Sequence, residues 1–391
     1  MKTKILLAAV AGALVMPVPM ASQADVMGGT DFTIYGRVVA GAVRTDTGRS
    51  NESAVWDLGA TGIDGSQDRG SRVGFKADRD LGGLTVGFKL ERGFDQTIYQ
   101  TCAGVSTDSN GNVDHTTAGS HVASGKCPSG SRGTTRTHRN GFNARHQYVY
   151  LSGDFGTVTI GNQSNPYLMG ANWAQEWYFG GNTVGSFREE GIGYAWSNDA
   201  FNLNVLLTGN NGDSSSTDRT TAAGRVADET IDRTIIGASY DFGVVKVGFG
   251  YNKDNTENDY DWTSIGVSGS VDRFGYYVGY QTKSDSRQSG ATADTGNTPR
   301  PGGMQSDVGN QDQSGWGTFL SYDISDADKV YLEYETQEDD WGTKPETTYT
   351  VVGYSRSLGG SARFIAEYGK TDYDGSAADP TNLALTVMVG F

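Results

Sequence analysis

Residues 383–391 read LALTVMVGF. Leu383, Leu385, Val387, Val389 and Phe391 fall on one face of an extended chain, and Ala384, Thr386, Met388 and Gly390 on the other. Every odd position is large and apolar; every even one is small or flexible. A core strand of a soluble sandwich could carry the same pattern. What decides the fold is whether the rest of the chain repeats it.

It does, from Asp31 onward. In DFTIYGRVVAGA (31–42), Phe32, Ile34, Val38 and Ala40 oppose Tyr35 and Arg37. SRVGFKAD (71–78) sets Val73 and Phe75 against Arg72, Gly74 and Lys76, and LTVGFKLE (84–91) sets Leu84, Val86, Phe88 and Leu90 against Thr85, Lys89 and Glu91. KVYLEYET (329–336) and ARFIAEYG (362–369) repeat the arrangement. Tyrosines recur at the ends of the apolar stripes, as in Tyr251, Tyr280, Tyr322, Tyr354 and Tyr368, which is where a membrane-interface girdle would put them.

The connections alternate in length. Short ones fall at 80–83, 153–156, 197–200, 241–244, 324–329 and 357–360. Long polar ones cover about 44–70, 94–142, 163–188, 209–232, 252–263 and 282–314. Turns at one end and loops at the other fit an up-and-down transmembrane barrel. The expected fold is all-β: an antiparallel barrel of about 16 strands, wide enough to enclose water.

Composition agrees. The chain holds 56 glycines, 20 tyrosines and 15 phenylalanines against 8 prolines, with a mean hydropathy of −0.47. A barrel whose lipid face takes every second residue combines those properties. The formal charge of −15 argues against a nucleic-acid partner, which needs basic patches.

At the other end, MKTKILLAAVAGALVMPVPMASQADV (1–26) has Lys2 and Lys4, an apolar run from Ile5 to about Met16, and then small residues. The run is short for a membrane span and suits an export signal over 1–24, with cleavage before Asp25. Residues 25–391 then form one barrel domain of charge −17, since the signal removes Lys2 and Lys4. In an exported chain Cys102 and Cys127 are expected to pair as a disulfide, two free thiols being the alternative.

Signatures of enzymes are sparse. There is no G-x-S-x-G, P-loop or H-E-x-x-H pattern. His115, His121 and His138 match no standard ligand spacing, and SNGNVD (109–114) lacks the glutamate of a calcium loop, so no metal or cofactor is expected. His146 opens a strand and is read as facing lipid. A lipase or protease on a barrel would need a nucleophile and base together on the wall. A surface adhesin would need only the long loops.

NQSNPYLMGANWAQEWYFGGNTVGSFREEG (162–191) is unusual for a solvated loop, since it carries Trp173, Trp177, Tyr178 and Phe179. Either it packs on neighbouring subunits or it folds back into the lumen and narrows it.

With IYGRVVAG (34–41), SRVGFK (71–76), YVYLSGDFGTVTIGNQ (148–163), FGG at 179–181 and Phe391 in this order, the sequence resembles the general trimeric porins of Gram-negative outer membranes, of the Neisseria and Burkholderia type. The resemblance implies a 16-stranded barrel with an inward-folded third loop, passive diffusion of ions and small hydrophilic solutes, and a homotrimer. It implies outer-membrane lipids and lipopolysaccharide as surroundings. It also implies the barrel-assembly machinery as a transient partner, reading Phe391 as a signal. The family's constriction sets wall cations against loop carboxylates. The matching wall positions are Arg37, Arg72 and Arg145, which alternation is read to place opposite the apolar stripe, with Arg188 just after the loop. On the loop the acidic position before FGG is Tyr178, a departure, and Glu176 is the substitute, with Glu189 and Glu190 nearby. An alternative is a substrate-preferring channel in which Trp173, Trp177 and Tyr178 form an aromatic eyelet for sugars or aromatic solutes.

Overall fold

The computed structural model describes residues 30–46, 54–60, 71–94, 142–171, 188–209, 231, 233–254, 260–285, 313–339, 346–373 and 379–391, with short backbone stretches between 98 and 138. The export segment, Cys127, the side chain of Cys102, and Glu176, Tyr178 and their aromatic neighbours fall outside what is described, so the expected disulfide does too.

Sixteen antiparallel strands close into a barrel. They are β1 (Thr30–Asp46), β2 (Arg72–Asp80), β3 (Thr85–Phe94), β4 (Phe142–Gly153), β5 (Gly156–Ser164), β6 (Arg188–Ser197), β7 (Phe201–Thr208) and β8 (Arg233–Asp241). Then follow β9 (Val245–Asp254), β10 (Tyr260–Val271), β11 (Phe274–Asp285), β12 (Gln313–Asp323), β13 (Asp328–Asp339), β14 (Glu346–Gly359), β15 (Ala362–Tyr373) and β16 (Thr381–Gly390). One helical turn, α1 (Leu168–Ala171), lies between β5 and β6. A short strand, Val55–Ala60, continues the line of β2 and pairs with the far half of β1.

The last strand closes on the first. Register runs from Arg37 opposite Gly390 to Asp46 opposite Thr381, and Phe391 extends the pairing by exchanging both backbone bonds with Gly36 at 2.9 and 3.0 Å. An open edge in lipid would leave backbone groups unsatisfied at several kcal/mol each, so closure is the dominant local constraint.

The period-2 pattern explains the two faces. Outward positions are apolar and open to the lipid side, as with Val149, Ile192, Ile265 and Val352, each about half exposed. Tyr280, Tyr322 and Tyr368 end those stripes and are similarly exposed. Inward positions are polar and buried, among them Glu333, Glu335, Gln281 and Thr371. Short turns join strands at one end. At the β2–β3 and β8–β9 turns an aspartate Oδ1 (Asp80, Asp241) accepts from the backbone N–H two residues on, at 2.8 and 2.7 Å. The acceptor pairs with Gly82 or Gly243, whose φ of 80° and 92° a side chain would resist.

One departure from plain alternation bears on the site. Opposite β3, Ala144 aligns with Arg92 and Gln147 with Leu90, so Arg145 and His146 together face the single residue Glu91. This is a β-bulge, which adds a residue to one strand and re-aims its side chains.

Candidate functional site: the lumen face and its folded-in loop

The cationic wall is built by β1 to β4. Arg37 lies directly opposite Arg72 in register, and one step along, Tyr35 faces Gly74, which faces Glu91 on β3. Arg145 reaches the same spot from β4. Its Nε donates to Glu91 Oε1 at 2.5 Å, Arg72 Nη1 stands 3.7 Å from that oxygen, and the Tyr35 hydroxyl donates to Oε2 at 3.0 Å. Glu91 is almost fully buried by these groups. Its carboxylate therefore fixes two guanidinium groups from different strands, and charge-assisted bonds of this kind are about twice as strong as neutral ones.

Strict alternation with Val149 and Leu151 would have turned Arg145 to lipid. The bulge turns it inward instead, beside His146, which alternation with Tyr148 and Tyr150 already places on the lumen side and not towards lipid. Its ring meets Tyr148 edge-on at 6.0 Å. Arg188, buried at the start of β6 opposite Ser164, lies near enough to His146 to act on it electrostatically.

The acidic alternatives separate cleanly. Glu189 turns inward and pairs with Arg233 Nη1 at 3.3 Å, while Arg233 Nε reaches Asp254 Oδ2 at 3.3 Å. Glu190 is exposed on the outward face with Ile192 and Tyr194. Carboxylates also line the wall on β13 and β15, where Glu333, Glu335 and Glu367 point inward and Tyr331 donates to Glu367 Oε1 at 2.6 Å. Glu91 and these three are the residues that reading the sequence missed. They were visible as inward positions, but no rule of spacing linked them to the arginines.

The stem of the third loop enters the barrel. Asn165 to Gly170 lies against the inward face of β8 to β11. Tyr167 is fully buried with Leu206, Ile235 and Trp262. Its hydroxyl donates to the Thr263 carbonyl at 3.2 Å, and its own carbonyl accepts from Ser264 Oγ at 3.2 Å. One turn on, the Tyr277 hydroxyl donates to the Gly170 carbonyl at 2.9 Å. The wall beneath carries Gly248 and Gly250, where a Cβ would overlap the carbonyl oxygens of Met169 and Tyr167. Bare backbone is what lets the loop lie this close. Beneath the stem lies a cavity of about 510 Å³.

A closed barrel with an apolar belt outside, a charged wall inside and a loop stem folded into its lumen defines a β-barrel channel of the outer membrane. The family model for Gram-negative porins matches residues 7–376, and the chain belongs to that family. It is an outer-membrane channel for passive diffusion. No curated protein matches the sequence significantly. Among solved structures it is similar to the anion-selective porin from Comamonas acidovorans (16% identity, 93% of this chain and 100% of that one, TM-score 0.59). It is also similar to OmpF of Salmonella typhi in complex with daunomycin (12%, 93% and 98%, TM-score 0.62). A third is OmpT of Vibrio cholerae, solved in a trimer form (15%, 93% and 100%, TM-score 0.58). At these identities the likeness is one of fold.

Proposed function

We propose that the channel is a general diffusion pore whose eyelet is set by Arg37, Arg72 and Arg145 on the wall, with Arg188 beside them and the third loop, bearing Glu176 and Tyr178, across the gap. The carrying observation is the joint hold of Glu91 on Arg72 and Arg145, which fixes cations on rigid strands facing the lumen. Opposed charges across a narrow wet gap order water and penalise apolar solutes. Solute passage needs no nucleophile or base, and the protein works as a channel and not as an enzyme. The trimer form of the Vibrio cholerae neighbour supports a homotrimer here. Export by a cleaved signal over residues 1–24 and a Cys102–Cys127 disulfide complete the reading.

The test is a planar-bilayer recording under a salt gradient. Arg145→Ala should shift the reversal potential towards cation selectivity and raise conductance. If neither quantity moves, Arg145 does not line the constriction and the assignment fails.

A further inference from the structure

The chain is strongly acidic, yet the space under the third-loop stem is not. Among the described residues lining the cavity of about 510 Å³ there is no carboxylate, and the one charged group is Lys246. The rest of its polar lining consists of hydroxyls and amides. The volume falls in the range of roughly 300–1,000 Å³ typical of small-molecule sites. A single cation set among hydroxyls and amides is the complement of a solute with one carboxylate and several hydroxyls.

Lys246 lies near the short-turn end of β9, on the same inward face as Gly248 and Gly250, and it is exposed. Among the described residues it has no ion-pair partner. Asp241 faces it in register, but that carboxylate sits at the turn, where its Oδ1 accepts from the Gly243 N–H at 2.7 Å, and it does not line the cavity. Ser268 of β10 lies directly opposite Lys246, and Ser239 of β8 lies opposite Gly248, the next inward position of β9. Ser239 Oγ accepts from Asn202 Nδ2 at 3.4 Å, so its own hydrogen remains to donate. Asn204 of β7 gives its Nδ2 to Met169 Sδ at 3.1 Å, which leaves the amide oxygen as an acceptor. These groups stand on four consecutive strands and so spread over about 14 Å of wall, enough for one sugar ring and the side chains that meet it. The stem supplies an apolar roof. Leu168 and Met169 line the same space and are only partly covered, and the Met169 carbonyl is seated over Gly248.

Resting on the reading of the chain as a diffusion pore, we propose that Lys246, Ser239, Ser268 and Asn204 form a binding station for hexuronates, the six-carbon sugar acids, on the short-turn side of the eyelet. The carboxylate would take the Lys246 ammonium. The ring hydroxyls would exchange bonds with Ser239, Ser268 and the Asn204 amide oxygen, and the C–H face of the ring would lie against Leu168 and Met169. A neutral hexose satisfies only the hydroxyl and amide groups, and a carboxylate without hydroxyls only the ammonium. The station therefore selects for both features in one solute.

The probe is glucuronate, added at neutral pH to the short-turn side of the full-length channel in a planar bilayer. Glucose, with the ring hydroxyls and no charge, is one comparator; cyclohexanecarboxylate, with the charge and no hydroxyls, is the other. In potassium chloride, glucuronate should interrupt the current at concentrations several-fold below those needed for either. K246Q should raise its half-saturating concentration about tenfold, the effect of losing one charge-assisted contact. K246R should restore it. S239A/S268A, which leaves the ammonium in place, should bring glucuronate to the concentration that cyclohexanecarboxylate needs. Equal interruption by glucuronate and either comparator in the unaltered channel, or an unchanged half-saturation in K246Q, overturns the proposal while the channel reading stands. A chain that passes no potassium chloride current overturns the channel reading and the station with it.

Discussion

Glu91 binds the two guanidinium groups it neutralises, so its loss and the loss of an arginine should pull selectivity in opposite directions. Glu91→Gln keeps the side chain's size and removes the charge shared by Arg72 and Arg145. The wall becomes more positive, and the reversal potential should move towards anions. Breaking one side of a buried ion pair costs about 3–5 kcal/mol. The variant barrel should accordingly unfold at lower temperature, followed by loss of its compact form on gels. An unchanged reversal potential would remove Glu91 from the constriction. The arginines also show how far a residue's place can be read from sequence. Arg37 and Arg72 follow plain alternation and were legible. Arg145 was assigned to the right face for a reason that does not hold, because alternation from Val149 points it outward and only the bulge reverses it. His146 lies inward by plain alternation with Tyr148 and Tyr150, so its reading as lipid-facing was an error of parity that the bulge does not explain. Glu91 was seen to face inward and was not connected to the site, since its partners lie 54 residues away on one strand and on a neighbouring strand on the other side.

At the scale of elements, most strands announce themselves, and their boundaries depend on turn chemistry. The β10–β11 hairpin was not separated in the sequence, although Val271 pairs directly with Phe274. Its two-residue turn, Asp272–Arg273, has no glycine, and Asp272 itself adopts a φ of 51°. Aspartate tolerates that conformation and gives no strong signal of it. The aromatics of the third loop left two readings open, packing on neighbouring subunits or folding into the lumen; the described anchor is earlier, at Tyr167, and its receptor is the glycine wall of β9. Gly250→Val should therefore expel the stem. A branched side chain would meet the Tyr167 carbonyl, and the anchor's buried contacts with Leu206, Ile235 and Trp262 would be lost. Conductance should rise and the segment around residues 165–171 should become cleavable by added protease. Wild-type conductance with full protease resistance would show that the stem does not depend on this wall.

For the whole molecule, stability turns on one seam, where β16 meets β1. Phe391 contributes two backbone bonds to Gly36, and its ring lies over the same glycine. Deleting Phe391 removes both, while Phe391→Ala keeps the bonds and removes the ring. The deletion should leave less heat-modifiable, assembled barrel at equal total synthesis. The alanine variant measures how much of that loss belongs to the aromatic group and how much to closure. Full assembly of the deletion variant would show that the barrel seals without its last pairing. Net charge says little about ion preference at this scale. The Debye length is about 8 Å at physiological salt, so carboxylates on distant loops are screened from the eyelet. On the proposed assignment of the eyelet, the groups that set selectivity are the few on the inner wall, and a chain of charge −15 can then hold a cationic constriction.

The bulge on β4 carries a consequence for chain length. Residues beyond it, towards the loop, follow the opposite parity from those before it, so the strand contains one residue more than regular pairing with β3 requires. Removing His146 would set Arg145 beside Gln147 with ordinary alternation and leave Arg145 pointing to the lumen. A single-residue deletion inside a transmembrane strand normally inverts every side chain on one side of it. At this position it should instead yield a straighter strand, an assembled barrel and a retained arginine. Deleting Val149 should block assembly. Membrane-extracted yields of the two deletions, compared side by side, would reveal whether β4 has this spare unit of length. If it does, relatives that differ by one residue here could share the same eyelet.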